Sequence, residues 1–244
     1  MMNQTSSKIA RLTAWSAIVG GLLAYANVGL SVAVTGSDAG MILHGASMLS
    51  LPSDTRDLFN WCMVADIFGF YLPFAVVGGY FLHVFRDELG ALGNMVAFAI
   101  GLYIMVGIAG AAMQLGILDP LARTYAGGDD ATKAAAAAAW STVANATQNG
   151  LWWCEGPLVL FWTPIAANVL ERAGWRGSFL LKFVGWGFGA FFLFGFFPGR
   201  DVLSNASELI VVLVLPLWML LFGWQLLRRM RTSVEPNAGV AASS

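Results

Sequence analysis

Apolar stretches long enough to cross a bilayer follow one another along this chain, and that succession restricts its fold more than any other feature. A helix needs about 20 residues to cross roughly 30 Å of hydrocarbon. Within the hydrocarbon the backbone must satisfy its own polar groups, which an isolated segment does only as a helix. Six segments meet the need, at about 11–34, 61–84, 91–117, 148–170, 178–197 and 207–227. The fifth, "SFLLKFVGWGFGAFFLFGFF", is short but almost wholly apolar. Charged residues make up only 11% of the chain, against roughly 25% in soluble domains. The 28 glycines and 10 tryptophans suit close helix packing and bilayer interfaces. The fold expected is all-α: a polytopic membrane bundle of six transmembrane helices over 11–231. A short N-terminal segment, 1–10, precedes it. The tail 232–244, "TSVEPNAGVAASS", lacks apolar content and should be disordered.

Basic residues set the expected orientation. With the N-terminus inside, Lys8, Arg11, Arg86, Arg172, Arg176, Lys182, Arg228, Arg229 and Arg231 fall on the inner side. Only Arg56, Arg123, Lys133 and Arg200 fall outside. This bias follows the positive-inside rule and places both termini in the cytoplasm. A cleaved signal peptide is the competing reading of span one, with Lys8 and Arg11 ahead of "AYA" ending at Ala26. The apolar run continues to Val34, which favours a span.

Two of the outer segments have content of their own. In 35–60, "DAGMILHGASMLSLP" suits a short helix lying along the interface. In 118–147, Asp129 and Asp130 precede a run of alanines, the pattern of a helix start. That helix is expected outside the membrane, leading into span four.

Glu155 is the most informative polar residue, set inside "WWCEGP" in an otherwise apolar run. A charge at a helix centre costs about 2.5–3.5 kcal/mol on insertion scales and faces the bundle interior or a wet cavity. Glu155 lies about seven residues below the outer end of span four, or roughly 10 Å at 1.5 Å per residue. Asp66 in span two and Asn27 in span one sit at about the same depth. Gln148 and Asn149 lie above Glu155, Gln114 near the outer end of span three, and Tyr71 beneath Asp66. These residues define an expected outward-opening polar crevice between spans one, two and four. Arg200 is the basic residue placed to reach it, with Asp201 and Glu208 competing for its charge. Two roles stay open for Asp66 and Glu155: binding a ligand or ion, or bonding to helix neighbours to hold the packing.

Prolines 73, 157, 164 and 216 each remove a helix hydrogen bond and invite a kink. Gly185 and Gly189 form a GxxxG, read as a helix-contact face. Lys182, near the inner end of its span, is expected to snorkel. Cys62 and Cys154 read as small buried hydrophobes, with a disulfide between outer helix ends as the alternative.

The chemistry absent from the chain narrows its function. A membrane b-type haem needs histidine ligands within the bilayer, but His44 falls in an outer loop and His83 at the inner end of span two. Zinc and di-iron sites need several converging His and carboxylate ligands, so no metal and no cofactor is expected. No GxSxG, HExxH or Walker motif marks a catalytic residue. A net charge of −1 with no basic stripe excludes nucleic acid.

In span order and in the long segment "LGILDPLARTYAGGDD" the chain resembles a bacterial six-helix integral membrane family of unknown function. The likeness is strongest in "GPLVLFWTPIAANVLERAGWRGSFLL", an aromatic–x–Pro helix ending in a basic, glycine-containing loop. It implies a multi-pass bundle in a bacterial cytoplasmic membrane and is silent on activity.

The expected function is non-enzymatic. The crevice holds a small or lipid-like ligand, or the bundle serves as an accessory subunit of a membrane complex. A small proton- or cation-linked carrier or channel using Glu155 and Asp66 is the alternative. The partners are the bilayer and either another membrane protein or further copies of this chain.

Overall fold

The computed structural model describes residues 4–36, 38–197 and 199–232. Helices α1 (Gln4–Thr35), α2 (Gly45–Leu49), α3 (Ser53–Asp66), α4 (Leu72–Val84) and α5 (Arg86–Leu89) form the first part. Helices α6 (Leu92–Gly127), α7 (Asp130–Ala146), α8 (Glu155–Arg172), α9 (Ser178–Gly195) and α10 (Asp201–Thr232) follow. A 3-10 turn occupies Ala39–Leu43, and π-helical turns occupy Ile67–Tyr71 and Thr147–Leu151. Among the described residues there is no strand. The expected disorder of the tail falls, beyond Thr232, outside the described residues.

Among the described residues five stretches are long and apolar enough to cross a membrane: Ser7–Thr35, Ser53–Val84, Leu92–Gly127, Ser178–Gly195 and Val202–Thr232. They correspond to expected spans one, two, three, five and six, although the third helix runs to Gly127 rather than 117. The expected fourth span is not one of them. Between 148 and 170 the chain does not form one helix. The π turn ending at Leu151 continues α7, Trp152–Cys154 form a turn, and α8 begins only at Glu155. Pro157 suits this restart, since a missing N–H is harmless in a helix's first turn. The resulting helix has 18 residues and includes Glu155, Glu171 and Arg172.

Small residues bring the helices together. A Cβ on Gly223 would meet the Ala14 carbonyl at 2.6 Å, and one on Gly21 the Pro216 carbonyl at 2.9 Å, so α1 and α10 lie backbone to backbone. Gly185 receives Thr163 and Gly189 receives Leu160, so the GxxxG is the face that α9 presents to α8. Gly156 extends the same contact to Phe192. α1 is a full member of the bundle, burying Ala10, Ala14, Ala17 and Ala24. Trp15, Leu22, Phe98, Met105, Phe183 and Trp186 point outwards, as lipid-facing side chains would.

Two apolar cores result. The larger is built around Phe74, which packs on Tyr103, Trp162 and Trp218 at ring separations of 5.7, 5.6 and 6.4 Å. The smaller lies at the end carrying α7, where Met48, Phe59, Leu118 and Trp140 are buried. The segment 39–49 therefore does not lie free along an interface. The Trp140 indole donates to the Ile42 carbonyl at 2.8 Å, and the Gly45 amide donates to the Ser141 hydroxyl at 2.9 Å. α7 starts as its acidic residues suggest, with the Asp129 carboxylate accepting from the Thr132 amide at 2.9 Å.

At the opposite end the 173–177 loop is fastened to α10. Gln225 accepts from the Arg176 amide at 2.9 Å and donates to its carbonyl at 2.7 Å. Arg229 stacks 4.2 Å above the Trp175 ring. Lys182 pairs with the exposed Glu171 at 2.6 Å.

Candidate functional site

Both carboxyls singled out by sequence sit where a helix loses its regular ladder. Asp66 ends α3 and is followed at once by the π turn Ile67–Tyr71. Pro73 explains the irregularity: it lacks the N–H that would bond to the Gly69 carbonyl, and its ring crowds that carbonyl. The ladder widens, and the Leu72 amide reaches back to Ile67. Glu155 opens α8, directly after the second π turn and the Trp152–Cys154 turn. Single π turns inside helices recur at functional sites.

These irregular turns deliver the side chains to one place. Asp66 and Glu155 retain 8% and 4% exposure and lie close enough to interact electrostatically. The Tyr71 side chain lies near enough to the Glu155 carboxyl to interact with it electrostatically. Tyr103 packs against Tyr71 at 5.2 Å and donates its hydroxyl to the Phe70 carbonyl at 3.0 Å. Glu155 Oε1 and Asp66 Oδ2 make no hydrogen bond to protein groups. Neither does the Gln114 amide, fully buried on α6, nor the Thr147 hydroxyl. Among the described residues no basic side chain forms an ion pair with either acid.

α6 supplies the floor. A Cβ on Gly107 would sit inside the Tyr71 ring, and one on Gly110 would strike the Trp152 indole. Trp152 also donates to the Gly107 carbonyl at 3.2 Å. Tyr71 and Trp152 together fill the level that sequence assigned to an open crevice, so the carboxyls are enclosed rather than lining an open mouth.

The remaining expected site residues are distributed differently. Asn27 joins α1 to α3 above the carboxyls, donating to the Cys62 carbonyl at 2.9 Å and to its sulfur at 3.3 Å. Asn149 is exposed and donates to Asn145 at 3.1 Å, while Gln148 is half-buried. Arg200 is exposed, and the charged neighbours of Glu155 are Asp66 and Glu208 instead. Cys62 and Cys154 are both free. Tyr103, Thr147 and Trp152 were not singled out from sequence. A lone tyrosine deep in span three was the available signal for the first, but nothing in the sequence announced the turn that aims Trp152.

Among the described residues no three His, Cys, Asp or Glu side chains converge to hold a metal ion. The arrangement offers two carboxyl acceptors beside an unpartnered amide and hydroxyl, so its chemistry is that of hydrogen bonding, with the carboxyls able to accept hydrogen bonds or positive charge. Compared with known proteins, the chain matches no family model, no curated protein and no solved structure.

Proposed function

We propose that this chain is a non-enzymatic, multi-pass membrane protein that binds a small or lipid-like ligand bearing hydrogen-bond donors or positive charge at Asp66 and Glu155. The observation behind the reading is the pair of buried carboxyl oxygens, Asp66 Oδ2 and Glu155 Oε1, left without protein donors. Buried polar groups are nearly always satisfied, and exceptions cluster at functional sites. Tyr71, Tyr103 and Gln114 supply orientation around them. The two π turns offer local give in the backbone, which an enclosed site needs to admit a ligand.

The proposed topology has six crossings, with both termini on the cytoplasmic side of a bacterial inner membrane. α8, though short of a span by composition, packs between α6 and α9, both long enough to cross. At 1.5 Å per residue, 18 residues extend about 27 Å, nearly the hydrocarbon thickness. Reporter fusions after residue 232 and within 127–130 should report opposite sides. The same side for both would remove the sixth crossing or the placement of α7.

A proton- or cation-linked carrier is the second reading, favoured by the electrostatic contact of Asp66 with Glu155 and of Glu155 with Glu208. Native mass spectrometry of the chain released gently from its own membranes tests the first reading. It expects a small molecule retained by wild type and lost from Glu155→Gln. A stoichiometric protein partner with no small molecule would make the chain an accessory subunit. Proteoliposome flux abolished by Glu155→Gln, without a retained ligand, would move the assignment to the carrier.

A further inference from the structure

A polar cavity opens at the α7 end, about 15 Å along α3 from Asp66 at ten residues' rise. Its volume is about 380 Å³, within the range of small-molecule sites. Three cations from three elements line it: Arg56 of α3, Arg123 of α6 and Lys133 of α7. They are three of the four basic residues that the sequence assigns to this side of the membrane. Like charges brought together repel, so their convergence calls for a counter-charge.

The protein supplies only part of it. Asp119 lies 3.5 Å from Arg56, which also donates to the Leu51 carbonyl at 2.5 Å. Arg123 and Lys133 form no ion pair among the described residues, and no acidic residue lines the cavity. Lys133 stands in the first turn of α7, whose N-terminus is capped by Asp129. Leu49, Leu51 and Tyr125 form an apolar wall beside the charges.

We propose that this cavity binds a phosphate-bearing ligand. Arg123 and Lys133 donate charge-assisted hydrogen bonds to the phosphate oxygens, and Arg56, already oriented by Asp119, presents a third positive group. Arginine's planar fork matches phosphate geometry. The apolar wall takes the remainder of the ligand. An anionic lipid headgroup and a free phosphate compound share this chemistry.

The test uses the full chain in a non-ionic detergent, titrated at constant ionic strength with inorganic phosphate and, separately, with dihexanoyl phosphatidylglycerol. Dihexanoyl phosphatidylcholine is the zwitterionic control. Binding of phosphate itself assigns the site to soluble phosphate compounds, and binding of phosphatidylglycerol alone assigns it to a lipid headgroup. In either case Arg123→Gln/Lys133→Gln should weaken binding about tenfold or more, while Arg200→Gln leaves it unchanged. Both substituted side chains lack a protein ion pair, so the double variant should melt as wild type does. If it does not, the two single variants carry the same comparison. Absence of binding by both probes, or full binding by the variants, overturns the proposal.

Discussion

Substituting Glu155 and Tyr71 separately and together distinguishes a carboxyl kept for a ligand from one kept for packing. In Glu155→Leu the unpartnered Oε1 disappears, which relieves about 1–3 kcal/mol. The same change removes the carboxyl with which the buried Tyr71 hydroxyl interacts, and an orphaned hydroxyl costs about as much. The single variant should therefore melt close to wild type. Tyr71→Phe removes the side-chain hydroxyl that interacts with Glu155 and should destabilise by about 1–3 kcal/mol. The double variant leaves neither group, and replacing a buried polar pair with apolar side chains of similar volume is often stabilising. It should exceed wild type by about 1–3 kcal/mol, which corresponds to roughly 2–4 °C per kcal/mol in a chain of this size. The assay is thermal unfolding of the detergent-purified protein, read as a double-mutant cycle with a coupling above about 2 kcal/mol. Gained stability with lost ligand retention is the pattern of a strained functional site. A double variant that melts several degrees below wild type would make the carboxyl a structural hydrogen-bonding group and refute the reasoning.

Three further outcomes follow from the packing. Gly107→Leu drives a side chain into the Tyr71 ring and should cost at least about 1–3 kcal/mol by overpacking, measurable as a lowered melting temperature. Asn27→Ala removes the donor that holds Cys62. It should destabilise by about 1 kcal/mol and speed maleimide labelling of Cys62. Asp129 is held below the ordinary carboxylate range by its bonds to Thr132. Its contribution is present above the unfolded value near pH ~3.9 and lost as pH falls through the lower folded value. Asp129→Ala should therefore lower the melting temperature at pH 7, and the gap to wild type should close in strong acid.

Much of this architecture was legible in the sequence, for identifiable reasons. Runs of apolar residues in spans one, two, three, five and six mark helices because hydrocarbon leaves the backbone no other solution. Asp129 before its alanine run marks the start of α7 because a capping acid acts through near neighbours. The similar depth of Asp66 and Glu155 could be read from sequence, since rise per residue converts sequence position into level. What depth cannot supply is rotation about the helix axis. Asn27 has the right level but turns to Cys62, and Asn149 turns outwards to Asn145. The broken fourth span was hidden for a different reason. A π turn is a property of the hydrogen-bond ladder, here beside the packing of Trp152 on Gly107 and Gly110, and apolar periodicity continues through it. The closed crevice has the same origin, because the aromatic rings that fill it are aimed by those turns.

A crystal structure grown from a lipid mesophase, using protein purified from its own membranes, addresses the Asp66–Glu155 site most directly. Ordered non-protein density within hydrogen-bonding distance of Glu155 Oε1 and Asp66 Oδ2, absent in Glu155→Gln, is the result expected of a ligand site. Carboxyls bonded only to each other and to protein groups, unchanged when the variant is compared, would contradict it.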